Sequence, residues 1–367
     1  MFTNQTKYRK NDYFMSLALQ QAYKALGNTR LNPAVGCVIT KKNHVISAGF
    51  TSFNGRPHAE HNAIVQSKTN LKDSEIYVTL EPCSNFGKTS PCTRKIIRKK
   101  IKSVFFSVKD PDPRSYNKCS KQFKKNNIIV KSRILDQNIN HFYKSYFKSK
   151  KNGLPFVTAK IAASKDFFTK NIKKKWITNK FSRGRVHLMR SNHDCILTSI
   201  NTVIMDNPQL TCRINGLEKN SPVRVILDKN LKIPVTSNIV KSSKKYRTII
   251  FFNKKNKKKI HLLMNHKIKL IKSSLGNDSR FDLRKILMKI KSLGFSRVFL
   301  ESGLKLTTNF LNQKLVDDFQ LFISGKKIGK QGLNSFKRNM NLFLKRKNFI
   351  VEKVNLFDDK LFIFKLK

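Results

Sequence analysis

Cysteine, acidic residues, tryptophan and long apolar runs are all scarce in this 367-residue chain. Its six cysteines are too few for a disulfide scaffold and suit a reducing cytosol. No apolar run approaches the ~18–20 residues that span a bilayer, so no membrane segment is expected. The N-terminus is basic and polar up to Asp12 and shows no apolar core of a signal peptide. No Gly-x-Gly-x-x-Gly follows a strand-like stretch, which argues against an ordinary dinucleotide-binding βαβ unit. Acidic residues number only 21 against 76 Lys+Arg, and the formal net charge is +55.

That charge suggests a nucleic-acid partner, because cationic surface releases counterions from phosphate backbones. Yet the lysines are scattered, with runs only at 173–175 and 254–259 (broken by Asn256). No aromatic residues interleave them in the manner of an RNA-binding motif. The chain is also heavy in Asn, Ile and Phe, whose codons, like those of Lys, are A/T-rich. Composition alone then accounts for most of the excess, and no nucleic-acid partner is expected. Hydrophobic residues make up 39% and include 28 Phe, which excludes a mostly disordered chain. At roughly 100–200 residues per domain, the length indicates two domains and leaves room for a third.

Apolar residues from Met15 to Leu26 recur at helical spacing, and the pattern ends at Gly27. Strand-like stretches follow at 35–40, 45–48, 76–80, 104–108 and 128–130, with helical ones at 58–68 and 92–100. The polar, basic stretch 144–153, ending in Gly-Leu-Pro, is the expected linker. Beyond it, strands are expected at 156–160, 195–199, 223–228, 248–252, 298–301 and 319–323, with a solvated loop at 254–259. Strands alternating with helices indicate two α/β domains.

The most informative local feature is His58-Ala59-Glu60, followed by Pro82-Cys83 and by Cys92. Imidazole and thiolate are zinc ligands, and a catalytic zinc site uses three of them. His58 and Cys92 stand at expected helix starts, where the helix dipole favours a thiolate. A carboxylate two residues after the His ligand is the proton carrier of zinc deaminases, moving a proton from the attacking water to the leaving ammonia. Glu60 has that offset. His61 competes with His58 as ligand, and buried, inert thiols are the plain alternative for the cysteines.

In the second half, 202–213 reads as a loop with one Asp, one Pro and one Arg, and Arg213 could pair bidentately with a phosphate. Val298-Phe-Leu-Glu301-Ser-Gly303 reads as a strand that leads into a helix near Thr307. Such a turn offers backbone N–H groups to an anion, and Glu301 suits hydroxyl contacts.

At these residues the sequence resembles the bifunctional riboflavin-biosynthesis deaminase–reductase family. Glu81-Pro-Cys-Ser-Asn-Phe-Gly-Lys-Thr-Ser-Pro-Cys92 is similar to its Glu-Pro-Cys-Ser-His-x-Gly-Arg-Thr-Pro-Pro-Cys. Asn32-Pro33-Ala34-Val35-Gly36 is similar to its Asn-Pro-x-Val-Gly. The resemblance implies an N-terminal cytidine-deaminase-like α/β/α sandwich (1–147) and a C-terminal dihydrofolate-reductase-like α/β domain (148–367). It implies one zinc ion on His58, Cys83 and Cys92, with Glu60 catalytic and Asn32 and Asn85 at the substrate base. It further implies NADPH at Ala162, Trp176 (the only Trp), Thr202, Asp206 and Gly303. Reductase substrate contacts are implied at Lys160, Lys174, Arg190, Leu210, Arg213 and Glu301, with Lys160 or Glu301 assisting the proton.

The implied reactions are hydrolytic deamination of 2,5-diamino-6-(5-phosphoribosylamino)pyrimidin-4(3H)-one and NADPH reduction of its ribosyl group to ribityl. The expected partner is this small phosphoribosyl pyrimidine, with no membrane; a cytoplasmic enzyme is expected, and a homo-oligomer is left open. Several positions depart from the family pattern: Asn85 replaces His, Lys88 replaces Arg, Lys174 replaces Ser and Leu304 replaces Pro. Ala163-Ser-Lys-Asp-Phe-Phe168 replaces Ala-Ser-Leu-Asp-Gly-Arg, losing a turn glycine. The alternatives are a deaminase with a degenerate reductase half and, from another class, a nucleic-acid base deaminase or RNA-binding protein.

Overall fold

A computed structural model describes residues 10–87, 89–254, 256–276, 278–337 and 349–367. Lys88, and Lys255 within the 254–259 run, lie outside these. The chain divides into two compact units, Met1–Gly153 and Leu154–Lys367.

The first unit runs α1 (Lys10–Ala25), β1 (Gly36–Lys41), β2 (His44–Phe50), α2 (Ala59–Gln66), β3 (Glu75–Leu80), α3 (Cys92–Arg98), β4 (Ser103–Val108), α4 (Cys119–Lys124), β5 (Ile129–Lys131) and α5 (Asp136–Asn152). Its five strands are ordered β2-β1-β3-β4-β5. β1 is antiparallel to β2 and β3, whereas β3, β4 and β5 are parallel. β4 is buried along its whole length, as a strand covered on both faces must be. α1 buries Phe14, Met15, Ala18, Ala22 and Ala25, an apolar stripe at helical spacing. Gly36 lets β1 lie directly on this helix, because a Cβ there would meet the backbone of Ala18 and Ala22.

The expected linker at 144–153 is instead the second half of α5. Ile139, Phe142, Tyr143 and Tyr146, spaced at helical intervals, form its buried face. The lysines that suggested a linker are the outer face of the same helix. Gly153, with φ +70°, ends it in the left-handed region that favours glycine.

The second unit runs β6 (Phe156–Ala163), β7 (Phe168–Asn171), α6 (Lys180–Ser191), β8 (Cys195–Ser199), α7 (Ile200–Asp206), β9 (Val223–Leu227), α8 (Asn238–Lys241), β10 (Thr248–Phe252), α9 (Lys257–Asn265), β11 (Lys269–Lys272), α10 (Leu283–Ser292), β12 (Arg297–Glu301), α11 (Leu304–Asn312), β13 (Asp318–Ile323), β14 (Gly332–Ser335), β15 (Phe349–Val351) and β16 (Lys360–Lys365). Its main sheet has nine strands ordered β11-β10-β9-β8-β12-β6-β13-β16-β15. From β11 to β13 neighbouring strands are parallel, which brings their carboxyl ends to one edge. β16 and β15 close the sheet antiparallel.

Two further expectations change. The solvated loop at 254–259 contains the start of α9, where the Asn256 side chain caps the Lys259 N–H at 3.0 Å and Leu263 is buried. The 202–213 loop begins as α7, capped by Ser199. The turn that lost its glycine persists with Phe167 at φ +66°, a conformation costing a residue with a Cβ about 1–2 kcal/mol. Ser164 and Asp166 hold it: Ser164 Oγ donates to Asp166 (2.6 Å), whose carboxylate accepts the Ile328 and Gly329 N–H groups. Among the described residues, no helix is long and apolar enough to cross a membrane.

Because β1 rests on α1 without room for a methyl group, Gly36→Ala is expected to destabilise the protein by about 1–3 kcal/mol. Denaturant titration reads this as a lower midpoint; an unchanged midpoint would mean that α1 yields without cost.

Candidate active sites

In the first unit, β3 runs buried to Leu80 and delivers Glu81-Pro82-Cys83 at its carboxyl end. His58 is the extended residue that caps α2 (φ −74°, ψ 161°). Cys92 is the first residue of α3. These separate segments converge: His58 Nδ1 lies 3.5 Å from both the Cys83 and the Cys92 sulfur. The three ligand atoms fall within 4.8 Å of one another, and two thiols with one imidazole are a zinc donor set. His61 is not part of this cluster. Its Nδ1 accepts a hydrogen bond from Lys95 Nζ at 2.8 Å, which removes it as the competing ligand.

The helix N-terminus acts on the other cysteine from the one expected. The Cys92 N–H donates to Cys83 Sγ (3.3 Å), and the Thr93 N–H donates to the Cys83 carbonyl (3.2 Å). Hydrogen bonding from Cys92 and His58 draws the Cys83 thiol down to about 4, against the effect of burial. Cys92, bonded to that sulfur and buried beside Glu60, is raised. Glu60 lies in the first turn of α2, 3% exposed, and burial pushes its carboxyl above the usual range.

Asn32 packs against Gly55 (φ +86°), where a Cβ would collide with the Asn32 side chain, and Gly55 leads directly into His58. Asn85, two residues after Cys83, accepts a hydrogen bond from Ser115 Oγ (2.8 Å). A supporting network was not expected from the sequence. Glu81 accepts the N–H groups of Asp110 (3.3 Å) and Asn117 (3.2 Å), and Tyr146 donates to Asp110 (2.9 Å). Asp112 pairs with Arg114 and Lys150, which hold its carboxyl well below the usual range. Two acids flanking Pro111 in so basic a chain were the available signal.

In the second unit, register places Glu301 of β12 beside Lys160 of β6, and Lys160 beside Gln320 of β13. Arg190 of α6 grips Glu301 bidentately, Nε and Nη2 each 2.9 Å from a carboxylate oxygen. Lys160 Nζ stands 3.9 Å from the same group. Burial alone would raise Glu301, but Arg190 and Lys160 hold it down to about 2. Burial lowers the Lys160 ammonium, with Glu301 opposing. The remaining arm of Arg190, Nη1, donates to the Thr211 carbonyl (3.0 Å). Arg190 is therefore buried and committed, whereas Arg213 is exposed, and among the described residues its guanidinium donates only to Gln209 (3.2 Å) and Thr211 (3.5 Å).

The 207–213 segment is pinned along its length. Asn207 accepts two hydrogen bonds from Asn238, at its side-chain Oδ1 and its carbonyl, both 2.8 Å. Arg224, fully buried, donates to the Gln209 carbonyl (3.3 Å), and the Cys212 N–H donates to Ser221 (3.1 Å). Leu210 is buried with φ +55°.

At the carboxyl ends of β8 and β12, the hydroxyls of Ser199, Thr202 and Ser302 lie within 3.1–3.3 Å, and the Gly303 N–H donates to Thr202 (3.3 Å). Nothing occupies the space where a Gly303 Cβ would be. A cavity of about 600 Å³ has Ser199 on its wall and four cations, Lys229, Lys232, Arg280 and Lys305, around it. Sequence reading missed these four; a Lys directly after the 223–228 strand was the available clue. Ala162 lies on the same strand as Lys160. Asp206 ends α7 with its residue surface open but its carboxyl partly desolvated, which raises it, and Lys170 and Lys175 oppose that. The Trp176 ring, 57% exposed, meets Arg183 (4.9 Å) and Lys175 (5.4 Å). Lys174 is exposed, and its backbone N–H donates to Asn171 (3.1 Å). Neither Trp176 nor Lys174 touches the Glu301 row among the described residues.

Residues 8–108 match the cytidine and deoxycytidylate deaminase zinc-binding region, and residues 155–350 match the RibD C-terminal domain. The riboflavin biosynthesis protein RibD of Aquifex aeolicus is 34% identical over 319 residues, covering 86% of this chain and 87% of that protein. RibD of Bacillus amyloliquefaciens is 34% identical over 320 residues, 87% of this chain and 85% of that one. A crystal structure of a diaminohydroxyphosphoribosylaminopyrimidine deaminase/5-amino-6-(5-phosphoribosylamino)uracil reductase from Thermotoga maritima superposes with a TM-score of 0.82 at 30% identity, covering 97% of this chain and 98% of that one. Acinetobacter baumannii RibD superposes with a TM-score of 0.82 at 25% identity over the same shares. With a cytidine-deaminase-like domain followed by a RibD-type reductase domain, the chain belongs to the bifunctional deaminase–reductase family of riboflavin biosynthesis, RibD.

Proposed function

We propose that this enzyme deaminates 2,5-diamino-6-(5-phosphoribosylamino)pyrimidin-4(3H)-one in its first domain. In the second, it reduces the ribosyl group with NADPH to give 5-amino-6-(5-phosphoribitylamino)uracil, acting in the cytoplasm. One observation carries the reading: a buried carboxyl, Glu60, beside a converged His-Cys-Cys set, on the same chain as a buried Arg190–Glu301 pair.

His58, Cys83 and Cys92 would hold the zinc ion, which when bound supplies the Lewis acidity that makes water a nucleophile near neutral pH. Glu60 accepts the proton of the attacking water and delivers it to the departing amine, so that C–N cleavage releases ammonia and leaves a carbonyl. Its raised affinity for protons suits this shuttle. Asn32 and Asn85 orient the pyrimidine through amide hydrogen bonds.

In the reductase, NADPH supplies the hydride, and the protein positions the two reactants. Thr202 and Gly303 present a hydroxyl and an open helix N-terminus to the cofactor, with Ala162, Trp176 and Asp206 completing its contacts. The cavity beside them receives the phosphorylated adenosine end, facing Lys229, Lys232, Arg280 and Lys305. Arg213 takes the substrate phosphate; Arg190 acts through Glu301 and the Thr211 carbonyl rather than as a free cation. Leu210 and Lys174 complete the substrate contacts. Glu301, held ionised, orients sugar hydroxyls and carries no proton to donate, which leaves Lys160 as the proton source. The intact Arg190–Glu301 pair and Thr202–Gly303 contact, and the persistence of the Phe167 turn, speak against a degenerate reductase half.

Glu60→Gln is expected to cut deamination by roughly 10²–10⁴-fold with zinc still bound one per chain; loss of zinc together with activity would assign Glu60 to metal binding instead. Separate assays of deamination and of NADPH oxidation on the deaminated intermediate test the two halves, and no NADPH turnover with deamination intact would refute the reductase assignment. Lys229→Ala or Lys305→Ala is expected to weaken NADPH binding roughly tenfold in a fluorescence titration while leaving NADH binding unchanged. Equal losses for both cofactors would move the phosphorylated end out of this cavity.

A further inference from the structure

We propose that His187 is a ligand-linked proton acceptor in the reductase phosphate site, neutral in the free enzyme and protonated when a phosphate monoester binds at Arg213. This rests on the assignment of the substrate phosphate to Arg213 made above.

His187 lies on α6, one turn before Arg190. Its Nδ1 is 3.2 Å from the Arg213 backbone nitrogen, 3.0 Å from the Thr211 carbonyl oxygen and 3.4 Å from Arg190 Nη1. The half-buried ring thus joins α6, the 207–213 segment and the Arg190–Glu301 pair at one atom. Among the described residues its Nε2 makes no hydrogen bond, so the second nitrogen is available to a ligand.

Charged groups face the ring from each side: Arg190 from its own helix, Arg213 from the segment opposite and Glu301 from β12, with Lys160 of β6 behind Glu301. Burial and the two arginines outweigh the single carboxylate and lower the imidazole to about 4, so it is neutral at physiological pH. A phosphate at Arg213 adds about 1.5–2 negative charges and reverses the local balance. The imidazolium then donates from Nδ1 to the Thr211 carbonyl, releasing the Arg213 N–H that Nδ1 accepts in the free enzyme, and from Nε2 to the anion. Because the bound state holds the extra proton, uptake by His187 occurs between its free and bound titration midpoints.

Histidine side-chain NMR titrations of the full-length protein test this, with ribose 5-phosphate as the probe and ribose as the control. The His187 resonance is assigned by its absence in His187→Gln or, independently, His187→Asn. Its midpoint is expected to rise from about 4 to above 7 with ribose 5-phosphate and to stay put with ribose; a midpoint that stays below neutral pH with ribose 5-phosphate bound overturns the proposal. An unchanged midpoint, while Arg213→Ala abolishes ribose 5-phosphate binding, overturns the proposal and leaves the Arg213 assignment standing. No binding of ribose 5-phosphate, or binding that Arg213→Ala does not weaken, overturns both.

Discussion

Burying a carboxylate is costly unless the fold supplies compensation, and both sites of this chain are organised around how that is done. Glu301 sits between Arg190 and Lys160 and remains ionised in the interior. Among the described residues Glu60 has no Arg or Lys partner; its burial favours the protonated form, which His58 and the Cys92 thiol only partly oppose. The same functional group is thereby held ionised in one domain and pushed towards its protonated form in the other. Environment, rather than residue type, separates the two states.

The scarcity of acids makes their placement informative. Several of the 21 are buried where backbone N–H groups need an acceptor. Asp194 accepts from Ser296 and Arg297, Asp228 from Lys232 and Ile233, and Asp317 from Val157. Lysine is different. Most lysines cover outer faces, as along α5, where their stems lie over a helix whose inner face is aromatic. A composition drift towards lysine can spread over such faces with little effect on the core. It cannot replace an acid that satisfies two buried donors, because the fold would be left with unpaired groups.

Most strands were legible because continuous apolar runs such as 104–108 and 248–252 leave little else to form. α5 was not, because its window began at Lys144 and missed Ile139, Phe142 and Tyr143, the residues that face the core. α7 and the start of α9 were hidden for a related reason: both are short, polar outside, and fixed by a side-chain cap. A capping asparagine or serine reads in sequence much like any loop residue. Phe167 shows the reverse case, where a conspicuous departure from the family pattern leaves the turn in place. Ser164 and Asp166 carry the hydrogen bonds that define it, and the glycine only lowered its backbone cost.

Sequence alone indicated the two α/β domains and the family, and it narrowed the metal-ligand candidates to Cys83, Cys92 and one of His58 and His61, with Glu60 two residues after the first histidine. These depend on residue types at short spacings, which local chemistry constrains tightly. Tertiary structure decided what depends on separated segments meeting. It excluded His61 through Lys95, moved the helix-terminal N–H from Cys92 to the sulfur of Cys83, and committed Arg190 to Glu301. It also gathered four cations from three segments around one cavity and brought His187 against Arg213. Distance in the chain carries no information about such meetings. They follow from strand order and helix packing, which set which side chains share a space and so which of them keep their charge.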